Sequence, residues 1–166
     1  MAATSQRVKG GHTSAVSWVL VVVQGVLLIA IVAIPSSWGP SVPPLVLVGG
    51  ALVVAGGVVS LAAVWFLGRS LTAVPEPNGA GMTARGVYAM VRHPMYTGVV
   101  IGALGVALFR GAVGAWIVAV ALAFFFELKT RREERFLVTA YEGYGAYAAR
   151  TGKFVPRLGK RRASSL

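Results

Sequence analysis

The stretch Gly86-Val87-Tyr88-Ala89-Met90-Val91-Arg92-His93-Pro94-Met95-Tyr96-Thr97-Gly98 puts a guanidinium, an imidazole, two phenols and a proline into a chain otherwise rich in Val, Ala, Leu and Gly. Ionisable groups are costly at membrane depth, so where they adjoin apolar spans they point to function. Downstream, a second polar cluster, Glu127-Leu128-Lys129-Thr130-Arg131-Arg132-Glu133-Glu134-Arg135, closes another apolar run. Between the clusters lies one tight hairpin, with Arg110-Gly111 at its turn. Both clusters therefore fall on the same side of a membrane, and the spacing predicts one site.

Working outward, composition agrees with a membrane protein. Of the 166 residues, 56% are hydrophobic and only 13% charged, and the mean hydropathy is +0.72, too apolar for an ordinary soluble domain. There are no cysteines, which excludes disulfides, thiolate chemistry and cysteine-ligated metal centres; no metal ligand set is expected. The net charge of +11 comes from basic residues beside apolar spans, a distribution suited to anionic lipid headgroups rather than nucleic acid. Ala15 to Ile34 is long enough to cross a bilayer, which takes roughly 20 residues. A turn follows, with Trp38 expected at the interface. Leu45 to Leu67 is a second span, and its Gly49-Gly50 and Gly56-Gly57 pairs allow close approach of a neighbouring helix or a second copy. Gly68 to Arg92 is a polar connection with a turn signal at Pro75-Glu76-Pro77-Asn78-Gly79. Met95 to Phe109 and Ala112 to Phe126 are shorter apolar runs, read as an antiparallel helical hairpin.

The fold class expected is all-α integral membrane, with about four transmembrane helices, the last two a tight hairpin, plus an amphipathic C-terminal helix over Arg131 to Arg150. Phe136, Ala140, Tyr144 and Tyr147 mark the apolar face of that last helix. With four spans, every Lys and Arg except Arg110 falls on one side, from Arg7 and Lys9 through Arg69, Arg85 and Arg92 to the C-terminal segment. The positive-inside rule makes that side, and both termini, cytoplasmic. The chain divides into a tail over 1–14, two spans over 15–67, a functional core over 68–156 and a basic tail over 157–166, of which Lys160 to Leu166 is expected to be disordered and drawn to lipid.

Pro94 suits the first turn of a helix, whose free N–H groups attract a carboxylate; Arg92 and His93 would add donors. The plainer account is an arginine reaching headgroups and a histidine capping the helix. Tyr88 and Tyr96 are either interfacial belt residues or the walls of a pocket for a flat ring or a cation. In the second cluster, Glu127 and Arg131 are spaced for a helix ion pair, as are Arg131 and Glu134, and much of the cluster reads as a salt-bridged helix end. Glu133 is the acid available to an amine held near the first cluster.

Taken together, Gly86-x-Tyr88-x3-Arg92-His93-Pro94-x-Tyr96-x-Gly98, a helical hairpin, Glu133-Glu134-x2-Leu137, Tyr144-x2-Tyr147 and a basic residue before Pro156 resemble the isoprenylcysteine carboxyl methyltransferase family. The related phospholipid N-methyltransferases share much of this pattern. The resemblance runs from about Met82 to Pro156, and the combined motif is specific although each part is weak. It implies an integral membrane methyltransferase that uses S-adenosylmethionine and lacks a Rossmann fold. Tyr88, His93, Pro94 and Tyr96 would line the cofactor pocket, the stretch Ala80, Gly81, Met82 and Thr83 would run beside the adenosine, and Glu133 would hold the amino group. Lys129 stands where eukaryotic members carry an arginine near the substrate carboxylate. Such an acceptor needs no base; an amine or thiol acceptor needs one, and Glu134 or a tyrosine is nearest. The implied acceptor is lipid-like or small and hydrophobic, reached through the membrane. A non-enzymatic four-helix scaffold or transporter subunit accounts for the spans and the charge bias, but it does not require the two clusters to meet.

Overall fold

In a computed structural model of the chain, residues 14–35 and 42–161 are described. Five α-helices follow in order: α1 (Ala15–Ala33), α2 (Pro43–Leu67), α3 (Pro94–Arg110), α4 (Val113–Ala140) and α5 (Tyr144–Arg150). Among the described residues there is no strand, only one isolated parallel bridge between Val91 and Gly152. Three helices, α1, α2 and α4, are long and apolar enough to cross a membrane, and α3 is a shorter apolar helix. The expected Trp38 anchor, Arg7, Lys9 and residues 162–166 of the basic tail lie outside the described residues.

The helix ends follow local chemistry. Ser14 caps α1, its side chain accepting from the Ser17 backbone N–H. Pro94 opens α3, where a missing N–H has no cost. Gly111 closes it in the left-handed conformation at φ +61°. The turn into α4 is only Gly111-Ala112 long, so α3 and α4 are antiparallel neighbours.

The helix that begins with the apolar run Ala112 to Phe126 extends past it: α4 continues unbroken through the charged cluster for 28 residues, because its charges find partners along and beyond the helix. One expectation is corrected. The expected single helix over Arg131 to Arg150 is instead the end of α4, a break, and the seven-residue α5. The break falls at Gly143, whose φ of +89° is a conformation glycine adopts without strain.

Packing is inside-out relative to a soluble protein. Large apolar side chains such as Val22, Ile29, Leu47, Leu61, Trp65, Ile117 and Phe124 are exposed, whereas Ala103, Ala107, Ala112, Ala115 and Ala119 form the buried seam with Leu122 and Phe126. Helices in lipid associate through close van der Waals contact, which small residues permit. The most extensive packing is α2 on α3, while α4 lies against both α3 and α1. In each glycine pair of α2 it is the member facing α3 that matters. A Cβ on Gly49 would strike the backbone of Gly105 and Phe109, and one on Gly56 that of Gly98 and Gly102, whereas Gly57 has open space around it. Gly49 and Gly56 thus serve packing within the chain. Gly56→Ala is expected to destabilise the detergent-solubilised protein by about 1–3 kcal/mol through overpacking. Gly57→Ala is expected to leave its thermal midpoint unchanged or raised, and the two midpoints compared side by side check this.

Candidate active site

The two polar clusters meet. The chain enters α3 through a 3-10 turn, Gly86–Ala89, then an extended step that pairs with the C-terminal segment. The backbone N–H groups of Arg92 and His93 donate to the carbonyls of Gly152 and Lys153 at 2.8 and 3.1 Å. This backbone clamp faces Arg92 and His93 towards α4, one turn of which carries Glu133 and Glu134.

Arg92 is the hub. Its Nε donates to Glu134 Oε1 at 2.8 Å, Nη1 to the carbonyls of Ala148 (2.9 Å) and Thr151, and Nη2 to Gly159 O at 2.9 Å. One side chain thereby joins α4, α5 and the C-terminal segment. His93 lies between the two acids, with Nε2 3.2 Å from Glu134 Oε1 and Nδ1 3.6 Å from Glu133 Oε2. Its ring stacks on Tyr96, which stacks in turn on Phe126 at 4.4 Å between centroids. The Tyr96 hydroxyl donates to Glu133 Oε1. His93 occupies the N-cap position of α3 but makes no side-chain cap bond; its nitrogens face the glutamates instead.

Beside this network lies an open cavity, about 840 Å³ when counted out into the solvent at its mouth. Gly81, Met82, Thr83, Tyr88, Arg92, His93, Tyr96 and Glu133 all line it, so most residues singled out in the sequence converge on one space. Ala80, Pro94, Lys129 and Glu134 are not on its wall. Pro94 starts the helix below it. Glu134 is turned to Arg92 and His93, with Arg161 Nη1 at 3.7 Å; the Arg131 pairing foreseen for it is not made, and Arg131 bonds Glu127 at 2.8 Å.

Lys129, only 2% exposed, donates to Gln24 Oε1 on α1 at 2.7 Å and to Ala73 O at 3.3 Å, with its ammonium 5.3 Å from the Tyr96 ring centre. It ties α1, the connection and α3 together behind the cavity. Gln24→Leu alone leaves the buried ammonium with only the Ala73 carbonyl and the Tyr96 ring and should cost about 1.5–3 kcal/mol, whereas Gln24→Leu with Lys129→Met should be near neutral. Thermal midpoints of the single and double variants measure the difference.

Several wall residues were not foreseen as site residues. Thr72, Val74, Pro75, Pro77 and Asn78 come from the irregular connection, and Leu137, Tyr141, Tyr144 and Tyr147 from the end of α4 and from α5. The tyrosines recur in the sequence motif, which was the available signal; the connection carries no periodicity to read. Asn78 holds the connection in shape, its Nδ2 donating to Arg69 O (2.8 Å) and Leu71 O (3.4 Å). The Tyr147 hydroxyl donates to Tyr88 O at 2.7 Å. The Tyr144 hydroxyl is buried and has no partner. Burial pushes the Tyr147 phenol up to about 12 and raises Tyr88 and Tyr144 well above the usual phenol range. All three therefore stay protonated at neutral pH and act as hydrogen-bonding groups, not bases.

The apolar bundle with a polar cavity at one end of a helical hairpin shares its fold with a solved intramembrane methyltransferase. The structure of the eukaryotic intramembrane Ras methyltransferase ICMT (isoprenylcysteine carboxyl methyltransferase) superposes with a TM-score of 0.64 over 89% of this chain and 52% of that one, at 21% identity. The phospholipid methyltransferase (PEMT) profile matches residues 45–143, and the chain belongs to that family. It is also 36% identical over 132 residues to the cobalt-zinc-cadmium resistance protein CzcN of Cupriavidus metallidurans, spanning 78% of this chain and 58% of that protein. To the nickel-cobalt-cadmium resistance protein NccN of Alcaligenes xylosoxydans xylosoxydans it is 30% identical over 146 residues, spanning 87% of this chain and 66% of that protein. The chain thus spans less than two thirds of either relative's length. Among the described residues, no group of three or more His, Cys, Asp or Glu could hold a metal ion.

Proposed function

We propose that this protein is an S-adenosylmethionine-dependent methyltransferase that methylates a carboxylate on a lipid-like or small hydrophobic acceptor, with its site on the cytoplasmic side of the membrane. The observation that carries the reading is the Glu133 carboxylate on the wall of an aromatic-lined cavity, while the neighbouring acid, Glu134, is matched by Arg92. Glu133 is the acid left to bind an ammonium.

The residues present fit the cofactor. Glu133 would hold its amino group, the ring of Tyr88 offers π density to a sulfonium or a flat ring, Tyr96 on the same wall is held by its stacking on His93 and Phe126, and Gly81, Met82 and Thr83 form the wall open to the nucleoside. When bound, S-adenosylmethionine supplies a methyl group already activated on sulfur. What remains for the protein is to orient the acceptor and exclude water. The choice of a carboxylate rests on the bases the cavity lacks. Its phenols are held protonated by burial. Both nitrogens of His93 face glutamate oxygens, and Glu134 is engaged by Arg92. An acceptor that arrives with an open lone pair, as a carboxylate does, needs none of them. The apolar wall of Leu67, Met95 and Leu137 suits a hydrophobic acceptor body, and the exposed apolar helices give it a route through the bilayer.

Calorimetry of S-adenosylmethionine on the detergent-purified protein tests the cofactor. Methyl-labelled cofactor added to membranes containing the protein tests the acceptor. The expected product is a lipid-soluble label that mild alkali releases as methanol, the mark of an ester. An alkali-stable label would instead identify an amine or thiol acceptor, and absence of cofactor binding by a folded protein would remove the enzyme reading altogether.

A further inference from the structure

Four of the five N–H groups of Arg92 are already taken by Glu134, Ala148, Thr151 and Gly159. That leaves the arginine a clamp for α5 and the C-terminal segment and a poor anchor for a ligand carboxylate. Tyr147 donates to Tyr88 O, Tyr96 to Glu133, and Ser70 to Gly81 O. Tyr88 and Tyr141 also bring hydroxyls to the wall, but among the described residues Tyr144 is the wall phenol whose hydroxyl is both buried and unpaired. It is 2% exposed, it lines the cavity, and its hydroxyl is buried without a hydrogen-bond partner. An unsatisfied buried polar group is a standing cost to the fold, and natural structures keep few of them without a use. The ring is fixed by packing on Tyr147, 5.8 Å between centroids, so the hydroxyl is held in place before any ligand arrives.

We propose that Tyr144 is a ligand-binding residue whose phenolic O–H donates to the carboxylate of the cofactor's amino-acid end, beside the ammonium bound by Glu133. This rests on the S-adenosylmethionine reading above. In an amino acid the two charged groups share one carbon, so their partners must belong to one pocket; Tyr144 and Glu133 line the same cavity. The residue also answers the question left by Arg92, since the carboxylate needs a donor that the arginine does not supply.

Tyr144→Phe removes only the unpaired hydroxyl, so the variant should fold. The test is calorimetric titration of wild type and Tyr144→Phe with S-adenosylhomocysteine and with decarboxylated S-adenosylmethionine, together with thermal midpoints of both ligand-free proteins. Expected are an unchanged or raised midpoint, a roughly tenfold loss of affinity for S-adenosylhomocysteine, and no change for the decarboxylated ligand. Equal losses for both ligands would overturn the proposal, because the hydroxyl would then serve another part of the ligand or the shape of the pocket. So would unchanged binding of both. Wild type that binds neither ligand would sink the cofactor reading itself, a failure distinct from the other two.

Discussion

Arg92→Ala is expected to be the most destabilising single substitution at the site, at a cost of about 3–5 kcal/mol, because it strands a buried carboxylate. Glu134 would lose the guanidinium at 2.8 Å and keep only His93 and the more distant Arg161. The carbonyls of Ala148, Thr151 and Gly159 would lose their shared donor at the same time. The damage should spread in a defined direction. Helix α5 is too short to persist by itself, and the segment after it is held by the bonds from Arg92 and His93 to Gly152 and Lys153. Limited trypsin digestion should therefore cut faster at Arg150, Lys153 and Arg157 in the variant, while α1 to α3 stay protected by lipid or detergent. Arg92→Lys should recover only part of the loss, since an ammonium keeps the charge but cannot present the planar fork that reaches three carbonyls and a carboxylate at once. A thermal midpoint for Arg92→Ala equal to wild type would mean that the four contacts are incidental to the fold.

This dual role of Arg92 explains how much of the site could be read in the sequence. Apolar runs bounded by Pro, Gly and Arg located the helices closely: 15–34 against Ala15–Ala33, 45–67 against Pro43–Leu67, 95–109 against Pro94–Arg110. Spacing around one hairpin was enough to bring Arg92 and His93 to Glu133 and Glu134. What spacing could not supply was the partner of each charge. Glu134 reads equally well as a helix pair with Arg131 or as a buried partner of Arg92, and only the tertiary fold decides between them. Lys129 likewise reads as one more charge on a solvated helix end until Gln24 on α1 is found opposite its ammonium. Which glycine of each pair meets α3 depends on helix rotation, which a nearly uniform apolar helix does not encode. The connection from Thr72 to Thr83 and the segment after α5 are shaped by backbone and side-chain-to-backbone bonds such as Asn78 to Arg69 O, and irregular backbone leaves no period to detect.

Glu133→Gln should separate binding from folding. The substitution keeps the shape of the side chain and an oxygen for the Tyr96 hydroxyl, while removing the charge an ammonium would meet. Hydrogen bonds to charged groups are worth about 1.5–3 kcal/mol, so affinity for S-adenosylmethionine should fall by about 10- to 150-fold at that 1.4 kcal/mol per decade. Stability of the ligand-free protein should hold or rise, in contrast to Arg92→Ala. Glu133 has no guanidinium or ammonium within ion-pairing distance among the described residues, only His93 Nδ1 at 3.6 Å, so its removal strands no permanent cation. An acid kept nearly buried without such a partner weakens the ligand-free fold and becomes favourable once a cation binds, because the desolvation of the carboxylate is already complete when the ammonium arrives. Calorimetry on Glu133→Gln, with its thermal midpoint recorded alongside, checks both halves. A variant that melts early and binds poorly would make Glu133 a structural acid like Glu134. One that melts like wild type yet no longer binds would identify it as the residue around which the cavity is organised.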